Sequence, residues 1–96
     1  GSGLVGSEMC IRDSLVTAPY KAEEQEKPIE LSTHEGQEFD FILKGSLKAQ
    51  FENHTEILHE GDSVIYDSSH GHGMIATGGE DCLFLAIILK VQDEKK

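Results

Sequence analysis

Apolar and polar positions alternate with a two-residue period along most of this chain, in short runs broken by turn residues. In PIELST (28–33), Ile29 and Leu31 alternate with polar neighbours. In EFDFILK (38–44), Phe39, Phe41 and Leu43 fall on one face and Glu38, Asp40, Ile42 and Lys44 on the other. In SLKAQFE (46–52), Leu47, Ala49 and Phe51 oppose Lys48, Gln50 and Glu52. Successive side chains of an extended strand point to opposite faces, so each run predicts a half-buried strand. TEILH (55–59), DSVIYD (62–67) and HGMIAT (72–77) are further short strands, and CLFLAIILKV (82–91), apolar on both faces, predicts a central or interface strand. Asn53-His54 predicts a tight hairpin turn with Asn53 at positive φ, Glu60-Gly61 the next turn, and Gly78-Gly79-Glu80-Asp81 a loop. Val16 to Tyr20 predicts a short extended piece, and the charged KAEEQEK (21–27) a loop, since Pro28 turns its predecessor away from helix. The sum is about eight short antiparallel strands and no helix, the pattern of a sandwich or barrel.

Residues 1–15, GSGLVGSEMCIRDSL, carry no such period. They are expected to be a flexible leader of tag or cloning origin, the alternative being an arm that pairs with a neighbouring subunit. The domain is then expected over 16–92, with 93–96 a polar tail.

Ninety-six residues and 38% hydrophobic content fit one small domain. Eight Lys and Arg stand against 18 Asp and Glu, a formal charge of −10, so the chain alone is not expected to bind nucleic acid. No apolar run is long enough to span a bilayer as a helix, and no membrane association is expected. Two cysteines, Cys10 and Cys82, are too few for a disulfide framework, and no spacing suggests structural zinc; a cytoplasmic setting is expected.

The chemistry concentrates in two segments. HEGQEFDFILKG (34–45) sets His34 and Glu38 around a glycine turn, and GDSVIYDSSHGHG (61–73) supplies His72 and His70 in a similar setting. The two read as facing halves of one pocket. Three residues separate His34 from Glu38, six separate Glu38 from Gly45, fifteen separate Gly45 from Gly61, and ten separate Gly61 from His72. This combined spacing resembles the two motifs of the cupin superfamily over roughly Leu31 to Leu89. The resemblance implies an all-β jelly-roll barrel, usually dimeric, in which three histidines and a glutamate hold a metal.

Carried over by position, the resemblance makes His34 the second histidine, Glu38 the carboxylate and His72 the third histidine. The first histidine falls where this chain has Ser32, and the proline that usually precedes the last one is Gly71. The wording LSTHEGQEF…GDSVIYDSSHGHGMIATGGEDCLFLAII further resembles the C-terminal cupin of Xre-type helix-turn-helix regulators, thought to sense a small molecule. No helix-turn-helix pattern precedes Pro28, so the expected function is the sensing part of such a regulator without its DNA-binding part.

Two histidines and a glutamate suit Fe(II), Mn(II), Ni(II) or Zn(II) and leave positions open for a small-molecule ligand or water. In an extended segment His70 and His72 share a face, so His70 is either an additional ligand or a residue of the pocket mouth. Ser32, Asp40, Ile42 and Met74 are the expected pocket lining. The structural alternative is a hydrogen-bonded cluster of His34, Glu38 and His72 that needs no metal. The functional alternatives are a metal-dependent dioxygenase or isomerase on the same three ligands, and a metal-free dimerisation module. If Glu38 faces the interior, then Asp40 and Ile42 do too, and Phe39, Phe41 and Leu43 face outward. Leaving each phenylalanine uncovered forgoes about 1.5–3 kcal/mol of burial, which, with the two-sided apolar strand, favours a homodimer.

Overall fold

The computed structural model describes the backbone of residues 7–93 and the side chains of residues 13–90. Among the described residues there are seven strands: β1 (Ser7–Ala18), β2 (Gln37–Lys44), β3 (Ser46–Phe51), β4 (Thr55–Leu58), β5 (Ser63–Asp67), β6 (His72–Thr77) and β7 (Cys82–Asp93). They form a four-stranded sheet in the order β1-β7-β2-β5 and a three-stranded sheet in the order β4-β3-β6, with every pairing antiparallel. From β2 onward the chain crosses repeatedly between the sheets, as a jelly roll requires. Gly45 makes the first crossing at φ +84°, where a Cβ would lie 2.4 Å from the Asp81 carbonyl oxygen, so the β2–β3 turn packs directly on the β6–β7 turn.

The alternation in β2 is expressed as expected. Glu38, Asp40 and Ile42 are buried between the sheets, Phe39 and Phe41 are half-buried on the outer face, and Leu43 is exposed. The interior has two unlike ends. Ile42, Leu47, Leu58, Ala76, Cys82 and Phe84 form an apolar core at the Gly45 end. Glu38, Ser68 and His72, also buried, gather at the other. Burial raises the pKa of the Cys82 thiol, which behaves as a small core hydrophobe. No helix among the described residues is long and apolar enough to cross a membrane.

One local expectation fails, and two take a different form. The PIELST run forms no strand: only Ser32 pairs, exchanging both backbone hydrogen bonds with His72 (2.9 and 3.0 Å). Continuing that register would set Pro28 opposite Ala76, and proline has no N–H to offer. Gln25 Nε2 donates to the Ala76 carbonyl instead (2.9 Å), while the Glu30 carbonyl lies over Gly73, 2.3 Å from where a Cβ would be. Conversely, the extended piece expected at 16–20 begins at Ser7, inside the stretch without a period, as edge strand β1 paired to β7. Asp13, Ser14 and Leu15 are all exposed and burial alternates only from there to Ala18, so the ladder marks most of this strand. Finally, Phe51 N–H bonds to the His54 carbonyl (2.8 Å), closing the β3–β4 turn without any non-glycine residue at positive φ. Residues 21–27 include a single 3₁₀ turn, Ala22–Glu24.

Candidate metal centre

His34 and Glu38 sit on either side of Gly36, which enters β2 at φ +98° with its Cα pressed against the β7 backbone; a Cβ there would lie 2.3 Å from the Leu89 carbonyl oxygen. Gly36 and His34 are tied to the β5–β6 loop through backbone bonds, Ser68 N–H to the Gly36 carbonyl and His34 N–H to the Ser68 carbonyl, both 2.9 Å. His72 begins β6 and is fixed from the opposite side by Ser32. These ties draw one ligand atom each from His34, Glu38 and His72 to within 4.8 Å of one another. Glu38 and His72 are buried, and His34 is the most accessible of the three.

The hydrogen bonds decide what the imidazoles can do. A carbonyl only accepts, so His72 Nδ1 carries the proton it donates to the His70 carbonyl (2.9 Å), while His34 Nδ1 faces the Glu35 carbonyl (3.2 Å) and donates to it when it carries the ring proton. A neutral ring with its proton on Nδ1 keeps Nε2 as a lone-pair donor. His34 Nε2 lies 3.2 Å from Glu38 Oε1, two acceptors face to face unless a proton or a cation lies between them. The two rings meet edge to face at 5.0 Å. Backbone carbonyls that orient ligating histidines are a recurrent support of metal sites, and this donor set fits Fe(II), Mn(II), Ni(II) or Zn(II).

The other candidate residues are dispersed. His70 turns its ring outward, 3.9 Å from a Glu52 carboxylate oxygen and well exposed, and contributes its carbonyl rather than its imidazole. Ile42 belongs to the apolar core at the far end. Met74 packs against that core and borders an external cavity of about 340 Å³ together with Lys27 and Ile29. Ser32 is exposed beside His72. Gly71, in place of proline, donates its N–H to Glu52 (2.8 Å), a bond proline could not make.

Behind Glu38 lies a second polar group. Asp40 is fully buried, and neither of its carboxylate oxygens has a hydrogen-bond partner; the Tyr66 and Ser68 hydroxyls are likewise buried and unpartnered. Burial, then the neighbouring Glu38 carboxyl with its negative charge, push the Asp40 carboxyl up to about 9. Burial and the same two carboxyls raise Tyr66. The Tyr66 ring stacks at a tilt on His72 (4.9 Å) and edge-on against Phe51 (5.1 Å). Tyr66 and Glu52 are not legible as site residues in the sequence, because only the strand register sets Tyr66 opposite Glu38 and only the loop path brings Glu52 to Gly71.

The cupin domain pattern matches residues 20–88, so the chain belongs to the cupin domain family. Its fold is similar to that of Fe(II) HppE in complex with substrate, at TM-score 0.70 and 20% identity over 81% of this chain and 45% of that one. It is similar to hydroxypropylphosphonic acid epoxidase from S. wedmorenis, at TM-score 0.70 and 18% identity over 81% of this chain and 42% of that one. It is also similar to a cupin-2 domain protein from Shewanella frigidimarina, at TM-score 0.59 and 20% identity over 80% of this chain and 68% of that one. The chain spans less than half the length of the first two proteins, and at these identities the likeness is one of fold. No curated protein matches the chain.

Proposed function

We propose that this cupin domain holds one divalent transition metal on His34, Glu38 and His72 and uses the remaining coordination positions to bind a small molecule. The supporting observation is the convergence of one ligand atom each from His34, Glu38 and His72 to within 4.8 Å, with the His72 ring oriented by the His70 carbonyl. On this reading the domain is a ligand sensor, acting in the cytoplasm as part of a transcriptional regulator whose DNA-binding function resides elsewhere. The resemblance of its motifs to Xre-type regulators supports that assignment, and a charge of −10 fits a domain that does not itself touch DNA. Ligand binding would bias the geometry of a homodimer formed through the apolar outer face of the four-stranded sheet.

A metal-dependent oxygenase or isomerase is the second reading, favoured by a three-ligand set that leaves room for substrate and by the fold likeness to Fe(II) HppE. Elemental analysis of the purified protein beside its His72→Ala variant tests the common premise. About one metal per chain is expected in the parent and a large loss in the variant; metal retained by the variant would refute the site. Bound metal without turnover of candidate substrates would favour the sensor.

A further inference from the structure

We infer that Tyr66 is a positioning residue of this metal centre, bracing Glu38 from behind with its phenol hydroxyl so that Glu38 offers the metal a single oxygen; the inference rests on the metal-binding reading above. Tyr66 is the cross-strand partner of Glu38 in the β2–β5 ladder, and directly opposed residues project to the same face. Its ring lies on the His72 ring at 4.9 Å, so one side chain adjoins two of the three ligands.

Its hydroxyl is the informative part. A buried phenol normally finds a partner, yet this one makes no hydrogen bond, although the carboxyls of Glu38 and Asp40 both lie beside it. Among the described residues the buried polar ones are Glu38, Asp40, Ser68 and His72, none of them a lysine or arginine that could answer two carboxyls. The phenol has one proton to give, and carboxylate oxygens are the acceptors beside it. Glu38 already turns Oε1 toward His34 Nε2 at 3.2 Å, which leaves its other oxygen for Tyr66. A carboxylate divided in this way, one oxygen to the ion and one to a hydrogen-bond donor, has its orientation and denticity set by the donor. The remaining positions around the ion then stay open to a small ligand.

Tyr66→Phe removes only the oxygen. Compared with the parent, it is expected to bind Co(II) about 10- to 100-fold more weakly in chelator competition and to shift the visible absorption of the bound ion, with the far-UV circular dichroism unchanged. A merely structural role would leave the spectrum of bound Co(II) in place. A second measurement leaves Tyr66 intact. The chain has two tyrosines and no tryptophan, so in Tyr20→Phe protein all tyrosine emission comes from Tyr66. Zn(II) is expected to change that emission saturably, with the same midpoint as metal binding. A parent that binds metal beside a Tyr66→Phe variant with the same affinity and spectrum, or Zn(II) binding that leaves Tyr66 emission unmoved, overturns the inference alone. A parent that binds neither ion overturns the metal reading and this inference with it.

Discussion

Ser32 and His72 exchange both backbone hydrogen bonds, and residues opposed in that way send their side chains to the same face. A histidine at position 32 would therefore stand beside His72, where a fourth ligand belongs. Ser32→His is expected to tighten Zn(II) or Co(II) binding by about tenfold or more, roughly 1.4 kcal/mol or above, in chelator competition. An unchanged affinity would mean that this exposed position does not reach the ion. Asp40 makes a different prediction. Its carboxyl, ordinarily near 3.8, is pushed up to about 9, so the folded chain holds that proton more tightly than the unfolded chain. The associated stability is fully present below about pH 4 and is lost as pH rises toward 9, at up to ~1.4 kcal/mol per pH unit. Asp40→Asn has no such proton to lose. Urea midpoints measured from about pH 5 to pH 9 in the presence of EDTA should fall less steeply for the variant than for the parent; parallel curves would show that Asp40 does not govern this range.

At the level of elements, the turn that joins His34 to Glu38 depends on one glycine. Gly36 has φ +98° and a backbone carbonyl oxygen 2.3 Å from any added Cβ, whereas Gly61 has φ +88° with nothing within 4 Å. Gly61→Ala should cost about 1 kcal/mol for its left-handed backbone, and Gly36→Ala roughly 2–4 kcal/mol, since no side-chain rotation can relieve a clash with β7. Equal losses in urea unfolding would contradict this account. The same elements mark how far the sequence could be read. β2 and β3 were legible because each buries one face and exposes or half-exposes the other, which writes an alternation into the residue types. The 28–33 run carries that alternation yet is no strand, because Pro28 cannot donate and Gln25 takes the acceptor it leaves. β1 extends well beyond its alternating end, Leu15 to Ala18, because backbone pairing to β7 defines this edge strand. The spacing of His34, Glu38 and His72 was legible because those residues belong to motifs. Tyr66 was not, because its role follows from a register that no local pattern encodes.

Across the whole molecule, the outer face of the four-stranded sheet carries two continuous apolar rows. One runs from Leu15 through Leu85 to Phe41, and the other from Ile87 through Phe39 to Ile65. Leu15 and Ile65 are 66% and 59% exposed, so this surface is far from covered by its own chain. Patches of this kind on a small domain mark interaction surfaces, and the proposed homodimer would pack the two copies sheet against sheet. Each chain carries a formal charge of −10, so association works against mutual repulsion that salt screens. Sedimentation equilibrium is therefore expected to show a dimer that tightens between low and physiological ionic strength. Leu85→Glu lies at the centre of the first row and points away from the barrel interior. Burying that charge forfeits about 1.5–3 kcal/mol of apolar contact in each copy, so the variant should be monomeric at concentrations where the parent is paired, with its metal affinity unchanged. A parent that stays monomeric at about 100 μM in high salt would remove the dimer, and with it the route by which ligand binding is proposed to be read out.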